Sequence, residues 1–140
     1  MYTINSLYDY AHEFRGFLEK FSKKTKLITL KDFPRGSCGD ASLLLSMFLS
    51  DNNIGNVYYV CGWCDKKSHA WLEVDRFVVD ITMDQFGDNY PSVIVNEDYS
   101  FHYVFDIELK RLINIDMYDA KSRNQLLSAY NVLISSRNDV

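Results

Sequence analysis

Two adjacent stretches decide how this chain folds: Phe33-Pro34-Arg35-Gly36-Ser37-Cys38-Gly39-Asp40 and, directly after it, Ala41-Ser42-Leu43-Leu44-Leu45-Ser46-Met47-Phe48-Leu49. Pro34 fixes φ and Gly36 permits unusual φ values, so the first stretch predicts a loop. The second stretch is apolar on nearly every side of a helical wheel, which predicts a short helix buried in the core rather than an amphipathic surface helix. We expect this helix to end near Ser50.

Cys38 falls on the first turn of the predicted core helix. Ser37 and Asp40 have the spacing of a capping box, so we expect the helix to begin at this point. Unpaired N–H groups and the positive end of the helix dipole favour a thiolate there. Cys38 is therefore a candidate nucleophile. The alternative is a small buried apolar residue, which is what a free cysteine commonly is.

Length and composition restrict the class of protein. The 140 residues suffice for one domain spanning residues 1–140 with its own core. A net charge of −4, with no basic cluster longer than Lys23-Lys24, argues against a nucleic-acid or anionic-membrane partner. No run approaches a membrane span, and no signal-peptide pattern is present. The 3 cysteines are an odd number, which favours reduced thiols in a cytoplasmic protein. We expect no cofactor or metal, and the composition does not specify an oligomeric state.

Helical periodicity marks both ends of the chain. Apolar residues spaced three and four apart predict an amphipathic helix over residues 6–22, with Arg15 among the charged residues facing water. A similar pattern predicts a closing helix over residues 120–136. The connection before the Cys38 loop contains a β-prone segment at residues 27–30.

The middle of the chain has strand-like composition, beginning after a turn at residues 51–56. The predicted strands are residues 57–63, 68–74, 77–82, 92–95 and 99–107. A loop at residues 85–91 separates the third strand from the fourth. Helices followed by consecutive strands that can pair as hairpins predict an α+β fold with an antiparallel sheet.

The predicted hairpin register makes a geometric demand on two polar residues. If Asp75-Arg76 form a two-residue turn, residues whose numbers add up to 151 lie opposite each other. His69 then faces Thr82, and Trp71 faces Asp80, with all four side chains on one side of the sheet. His69 and Asp80 become a diagonal pair with Cα atoms roughly 7–8 Å apart. A turn one residue longer would move Asp80 to the opposite face.

Cys38, His69 and Asp80 are the residue types of a thiol triad. A thiol nucleophile needs a base, and the base needs an orienting group on its other nitrogen. A lone aspartate in an apolar strand is costly without a partner, and an imidazolium would provide one. The alternative for His69 is a structural histidine. His102 is a substitute base, ranked below His69 because the sequence shows no comparable acid beside it.

The chain resembles the transglutaminase-like branch of papain-like thiol enzymes. The likeness is carried by Gly36-Ser37-Cys38 at a helix start, His69-Ala70-Trp71-Leu72-Glu73-Val74 on a strand and Val78-Val79-Asp80-Ile81-Thr82 on the next. It covers about residues 33–86. The chain is similar in size to small bacterial members, namely leader-peptide peptidases and glutamine-deamidase effectors, and it lacks any sign of the calcium sites of full transglutaminases.

The resemblance implies a papain/transglutaminase-like core, in which the cysteine helix packs on an antiparallel sheet that carries the histidine and aspartate. It implies Cys38 as nucleophile, His69 as base and Asp80 as orienting acid, with Gly36, Ser37 and Trp71 beside the substrate and oxyanion. The expected partner is a protein or peptide substrate, which a cysteine hydrolase or acyltransferase would cleave, deamidate or transamidate. Such a protein acts in the cytoplasm or as a secreted effector without a recognisable leader. Papain-like enzymes have a glutamine a few residues before the cysteine, and it donates a hydrogen bond to the oxyanion. The corresponding region of this chain contains no glutamine. The Cys38 backbone N–H is therefore the expected oxyanion donor, and the sequence identifies no second one.

Two further classes stay open. Cys61-Gly62-Trp63-Cys64 has the spacing of a redox or zinc motif, although it falls on a predicted strand and no second ligand pair accompanies it. A non-catalytic interaction domain on the same fold is the other alternative. Alkylation discriminates them, because only a catalytic Cys38 should react much faster than the other two thiols.

Overall fold

The computed structural model describes residues 2–135. Within them the chain forms three α-helices and five β-strands. They are α1 Ile4–Phe21, α2 Cys38–Asp51, β1 Val57–Cys64, β2 Lys67–Val74, β3 Phe77–Asp80, β4 Ile94–Asn96, β5 Asp106–Leu112 and α3 Ala120–Ile134. None of the helices described is both long enough and apolar enough to cross a membrane.

The strands form a single antiparallel sheet in the order β4-β3-β2-β1-β5. The first four strands pair as consecutive hairpins, whereas β5 crosses to the opposite edge and pairs with β1. This arrangement confirms the predicted α+β class and the antiparallel sheet. The segment between β4 and β5 has to pass from one edge to the other, and it carries His102.

The β2–β3 hairpin has the predicted register. Val74 pairs with Phe77, and Leu72 pairs with Val79, so the paired numbers add up to 151. The turn residue Asp75 has a φ of 53°, a conformation that aspartate tolerates better than most residues. The ladder stops at Leu72, and β3 ends at Asp80. His69 therefore lies beyond the last paired residue of β2 against β3.

Helix α2 is buried between the sheet and the other helices. It contacts β2 on one side and α1 and α3 on the other. Leu44 and Leu45, adjacent residues on different sides of the helix, are both 0% exposed. This confirms the prediction from its all-round apolar pattern. The helix places Cys38, its first residue, at one end of the core.

The predicted capping box of α2 is wrong. Ser37 is the N-cap residue, but its side chain makes no capping hydrogen bond. The Asp40 carboxylate instead accepts a hydrogen bond from the Thr29 hydroxyl, which anchors the preceding loop to the helix. A partner distant in sequence has replaced the local one, and the first-turn N–H groups keep no side-chain cap.

Other predicted elements differ in kind or position. Residues 27–30, predicted as β-prone, contain the short 3₁₀ helix Ile28–Leu30. The last strand is β5, which begins at Asp106, whereas residues 99–107 were expected to be extended. Part of that segment forms the 3₁₀ helix His102–Val104. Aromatic side chains of the segment pack against the apolar cluster around Trp71, and the backbone there does not pair with a strand. The final predicted helical residue, Ser136, lies outside the described residues.

Candidate functional site

His69 and Asp80 form a buried hydrogen-bonded pair. His69 Nε2 lies 2.6 Å from Asp80 Oδ2, and both side chains are 0% exposed. The second carboxylate oxygen, Oδ1, accepts a hydrogen bond of 2.9 Å from the Thr82 backbone N–H. The diagonal pairing predicted from the hairpin register is therefore present, and the carboxylate is held at both oxygens.

His102 is a second histidine on the same carboxylate. Its Nε2 lies 2.7 Å from Asp80 Oδ2, and the residue is 1% exposed. The expectation that His102 lacks an acid partner is wrong, because the crossover segment brings it back over the face that carries Asp80. Its other nitrogen, Nδ1, has no hydrogen-bond partner among the described residues. The His102 ring packs against Trp71, with centroids 4.9 Å apart.

The charges in this cluster stabilise one another. Burial by itself raises the pKa of Asp80, but the charge of His69 and the hydrogen bonds from His102 and His69 hold it well below its usual range. Burial by itself lowers the pKa of His69. The interactions with Asp80, and then with Cys38, outweigh that effect and raise the His69 pKa to about 9. The arrangement therefore favours an imidazolium beside a carboxylate near neutral pH.

Cys38 completes the predicted group of three. Burial alone raises the pKa of its thiol, but interactions with the His69 imidazole, the Ala70 backbone and the Gln85 side chain lower it overall. Because Cys38 is the first residue of α2, the N-terminal end of that helix also faces the sulfur. The three groups therefore follow one another in space: the Cys38 thiol interacts with the His69 imidazole, which in turn contacts the Asp80 carboxylate.

Gln85 belongs to the site although sequence reasoning did not identify it. Its Nε2 lies 2.7 Å from His69 Nδ1, the ring nitrogen that does not contact Asp80. It comes from the 3₁₀ helix Met83–Phe86, at the start of the segment that was predicted to be a loop. The only local signal was its position shortly after β3, since no motif marks it.

Arg15 connects the elements around the site. It is 7% exposed, so the prediction that it faces water is wrong. Its two terminal nitrogens each lie 2.8 Å from an oxygen of Asp84, and Nη1 also donates to the Ile81 carbonyl at 2.7 Å. Its guanidinium carbon lies 4.6 Å from the centre of the Phe33 ring. One side chain from α1 therefore contacts both the loop before Cys38 and the short helix that carries Gln85.

The remaining predicted site residues, Gly36, Ser37 and Trp71, lie next to Cys38 or His69. Gly36 has a φ of 67°, which favours glycine in the loop before α2. Ser37 is 0% exposed at the N-cap position. Trp71 is 0% exposed, with its ring centroid 5.6 Å from that of His69 and its Nε1 donating to Glu73 at 3.1 Å. The indole therefore forms part of the wall behind the imidazole.

Cys61 and Cys64 do not form a metal or disulfide site in the described chain. Both are free, and both lie in β1. Residues three apart on a strand point to opposite faces, which separates the two thiols. Within residues 2–135 a single group of His, Cys, Asp and Glu side chains is close enough to hold a metal ion. It consists of His69, Asp80 and His102, whose candidate ligand atoms lie within 4.8 Å of one another. In that group the carboxylate oxygen already contacts both rings.

Comparison of the chain with protein-family models, with curated proteins and with solved structures finds no match. The chemistry of the site is therefore inferred from its own geometry.

The backbone at the start of α2 offers a hydrogen-bond donor beside the sulfur. The first backbone bond of the helix runs from the Ala41 N–H to the Ser37 carbonyl. The Cys38 N–H precedes it and has no intrahelical acceptor. No residue among those that the structure describes accepts a hydrogen bond from the Cys38 backbone N–H. A donor of this kind can bind negative charge that develops on the oxygen of a carbonyl whose carbon becomes bonded to the sulfur.

Proposed function

We propose that this protein is a thiol-dependent acyl-transfer enzyme that acts on an amide of a protein or peptide. One observation carries the proposal: a helix-terminal thiol interacts with an imidazole whose far nitrogen contacts a fully buried carboxylate at 2.6 Å. This is the arrangement that activates a cysteine nucleophile. The α+β fold, with the cysteine helix packed on the strand that carries His69, supports a transglutaminase-like assignment for the domain.

The reaction begins with the Cys38 thiolate. It attacks the amide carbonyl carbon, forming a C–S bond while the carbonyl π electrons move to oxygen. The Cys38 backbone N–H donates a hydrogen bond to this oxyanion. His69, oriented by Asp80, gives its Nδ1 proton to the amide nitrogen, and the C–N bond breaks. An amine leaves and a thioester remains.

The second half of the reaction releases the enzyme. Neutral His69 removes a proton from water, and the resulting hydroxide attacks the thioester carbonyl. The C–S bond breaks, the acid product leaves and the thiolate–imidazolium pair returns. If the departing amine was a backbone nitrogen, the enzyme is a peptidase. If it was ammonia from a glutamine side chain, the enzyme is a deamidase, and if an amine replaces water it is a transamidase.

Mass spectrometry tests the proposal and separates these reactions. Candidate protein mixtures are incubated with the wild-type chain and, in parallel, with the Cys38→Ala variant. New peptide termini that need Cys38 indicate proteolysis, and a gain of about one mass unit at glutamine indicates deamidation. Cross-linked or amine-modified glutamines indicate transamidation. Rapid labelling of Cys38 by iodoacetamide should accompany any of these results. Slow labelling of Cys38, equal to that of Cys61 and Cys64, would contradict the proposal.

A further inference from the structure

We propose that Gln85 is a catalytic residue, the second donor that binds the oxyanion formed when Cys38 attacks a carbonyl. This inference rests on the proposed function and supplies the donor that the sequence did not identify. It assigns that role to a side chain that follows the catalytic aspartate in the chain, on an element separate from the cysteine helix.

Gln85 lies next to the imidazole that serves as the base. Its amide interacts with the Cys38 sulfur and lies 2.7 Å from His69 Nδ1. It therefore contacts the base directly and is among the groups that stabilise the Cys38 thiolate. The residue is only partly buried, whereas the side chains of His69 and Asp80 are closed off from solvent. A carbonyl bonded to Cys38 would place its oxygen close to this amide.

The proton on His69 determines when the Gln85 donor is available. When His69 is neutral and its Nε2–H faces Asp80, Nδ1 accepts a hydrogen bond from the Gln85 amide. In the thiolate–imidazolium pair, Nδ1 carries a proton and no longer accepts. The Gln85 N–H is then left to interact with the sulfur. When the thiolate attacks, negative charge passes from sulfur to the carbonyl oxygen, and the same N–H can follow it. The donor is thus released in the protonation state that attacks.

A partly buried ion pair fixes the backbone beneath Gln85. The preceding residue, Asp84, receives two hydrogen bonds of 2.8 Å from Arg15, and Arg15 also holds the Ile81 carbonyl at 2.7 Å. Two parallel bonds between a guanidinium and a carboxylate restrict orientation as well as distance. Because Arg15 also contacts Phe33, it sets the short helix of Gln85 against the loop that leads to Cys38. A donor must be held in this way to favour a transition state.

Two reagents that react with the same thiol separate this role from a general effect on the sulfur. p-Nitrophenyl acetate acylates a thiolate through a tetrahedral oxyanion and releases p-nitrophenolate, whereas iodoacetamide alkylates it by displacing iodide and forms no oxyanion. Second-order rate constants are measured for the wild-type chain, Gln85→Leu and Gln85→Glu. Each is taken from the pH plateau where Cys38 is fully ionised. Gln125→Leu, at an exposed position on α3, is the matched control.

The expected result is a loss confined to acylation. Gln85→Leu and Gln85→Glu should each lower the acetylation rate of Cys38 by about 100-fold, the usual effect of removing one oxyanion donor. Alkylation should change by less than about threefold, and Gln125→Leu should alter neither rate. Gln85→Glu keeps the size of the side chain but replaces the N–H donor with a carboxylate. Because alkylation of the same thiol is retained, a loss confined to acylation does not come from misfolding.

Two outcomes would overturn the assignment. Equal losses in acylation and alkylation would show that Gln85 acts only on the reactivity of the thiol, and no loss in either would show that it has no role. If Cys38 of the wild-type chain is acetylated no faster than Cys61, the proposed function itself fails. That result is read from the wild type alone and is therefore distinct from the other two.

Discussion

The two faces of the β2–β3 hairpin are both buried, yet they are built differently. The face toward the helices is apolar, with Leu72 and Val79 directly opposite each other at 0% and 1% exposure. The other face carries His69, Glu73 and Asp80, which are no more than 2% exposed. Adjacent residues of one strand therefore meet the main hydrocarbon core on one side and, on the other, a charged network set beside the smaller apolar cluster of Val60, Trp71, Val78 and Phe105.

Each buried charge on the polar face has specific partners. Glu73 contacts the Trp71 indole N–H at 3.1 Å, the Tyr103 hydroxyl at 3.1 Å and the Lys110 ammonium at 2.7 Å. Asp80 has its two histidines and a backbone N–H. Apolar burial is non-directional and depends on volume, whereas a buried charge needs correctly placed donors. We therefore expect changes on the apolar face to cost stability and changes on the polar face to cost thiol chemistry.

The largest expected effect is on the apolar face. Leu72→Ala should lower the free energy of unfolding by about 2–5 kcal/mol, because it leaves a cavity among fully packed side chains. Urea denaturation at pH 7 measures this change. The rate of Cys38 alkylation in the folded protein should stay within about threefold of wild type. Leu127→Ala, at a position 39% exposed, is the control and should cost less than about 1 kcal/mol. A large loss of thiol reactivity in folded Leu72→Ala would remove the distinction between the faces.

Next in size is the loss of the imidazole. His69→Ala should slow iodoacetamide alkylation of Cys38 at pH 6.5 by about 100-fold, since a thiol without its cationic neighbour is mostly protonated at that pH. Peptide mapping after timed quenching measures the rate at each cysteine. Cys61, whose pKa is raised chiefly by burial, should react slowly in both proteins. The exposed His12 provides the control, and His12→Ala should leave the Cys38 rate unchanged. Similar Cys38 rates in wild type and His69→Ala would contradict an activated pair.

The polar face should also make the free energy of unfolding depend on pH. The His69 pKa is raised from 6.5 to about 9, so its contribution is fully present below pH 6.5 and is lost as pH rises toward 9. In Cys38→Ala no thiol titrates at this site and the part of the pKa shift that comes from Cys38 is absent, so the free energy of unfolding should fall by roughly 2 kcal/mol between pH 6 and 9. Urea denaturation across this range measures it. Adding His69→Ala should flatten the curve, and an unchanged slope would assign the pH dependence to other groups.

The smallest expected effect concerns the second histidine on Asp80. His102→Phe keeps an aromatic ring beside Trp71 but removes one of the two histidine donors to Asp80 Oδ2. The carboxylate should then bind His69 more strongly, so the pKa of His69 should rise, as followed by NMR titration of its ring. The alkylation rate of Cys38 should change by only about threefold, in line with one hydrogen bond. His102→Gln, which retains an N–H donor, should keep the wild-type titration. A lower His69 pKa in His102→Phe would mean that His102 supports the pair instead of competing for the carboxylate.

Local patterns were sufficient wherever neighbours in the chain decide the outcome. The Asp75-Arg76 turn set the register, and the two-residue period of strands then placed His69 and Asp80 on one face. The start of α2 at Cys38 followed from a loop meeting an apolar run. The predicted cap between Ser37 and Asp40 failed for the opposite reason, because the Asp40 carboxylate bonds to Thr29, a partner outside the local pattern.

The sequence by itself determined the α+β class, the Cys38 helix and the pairing of His69 with Asp80, since each depends on periodicity or on a short turn. Only the tertiary structure decided that Arg15 is buried, that His102 shares the carboxylate and that Gln85 contacts His69. Arg15 meets Asp84 across 69 residues, and His102 meets Asp80 across 22. Contacts at such separations arise from how whole elements pack and cross. No residue pattern within either segment specifies them.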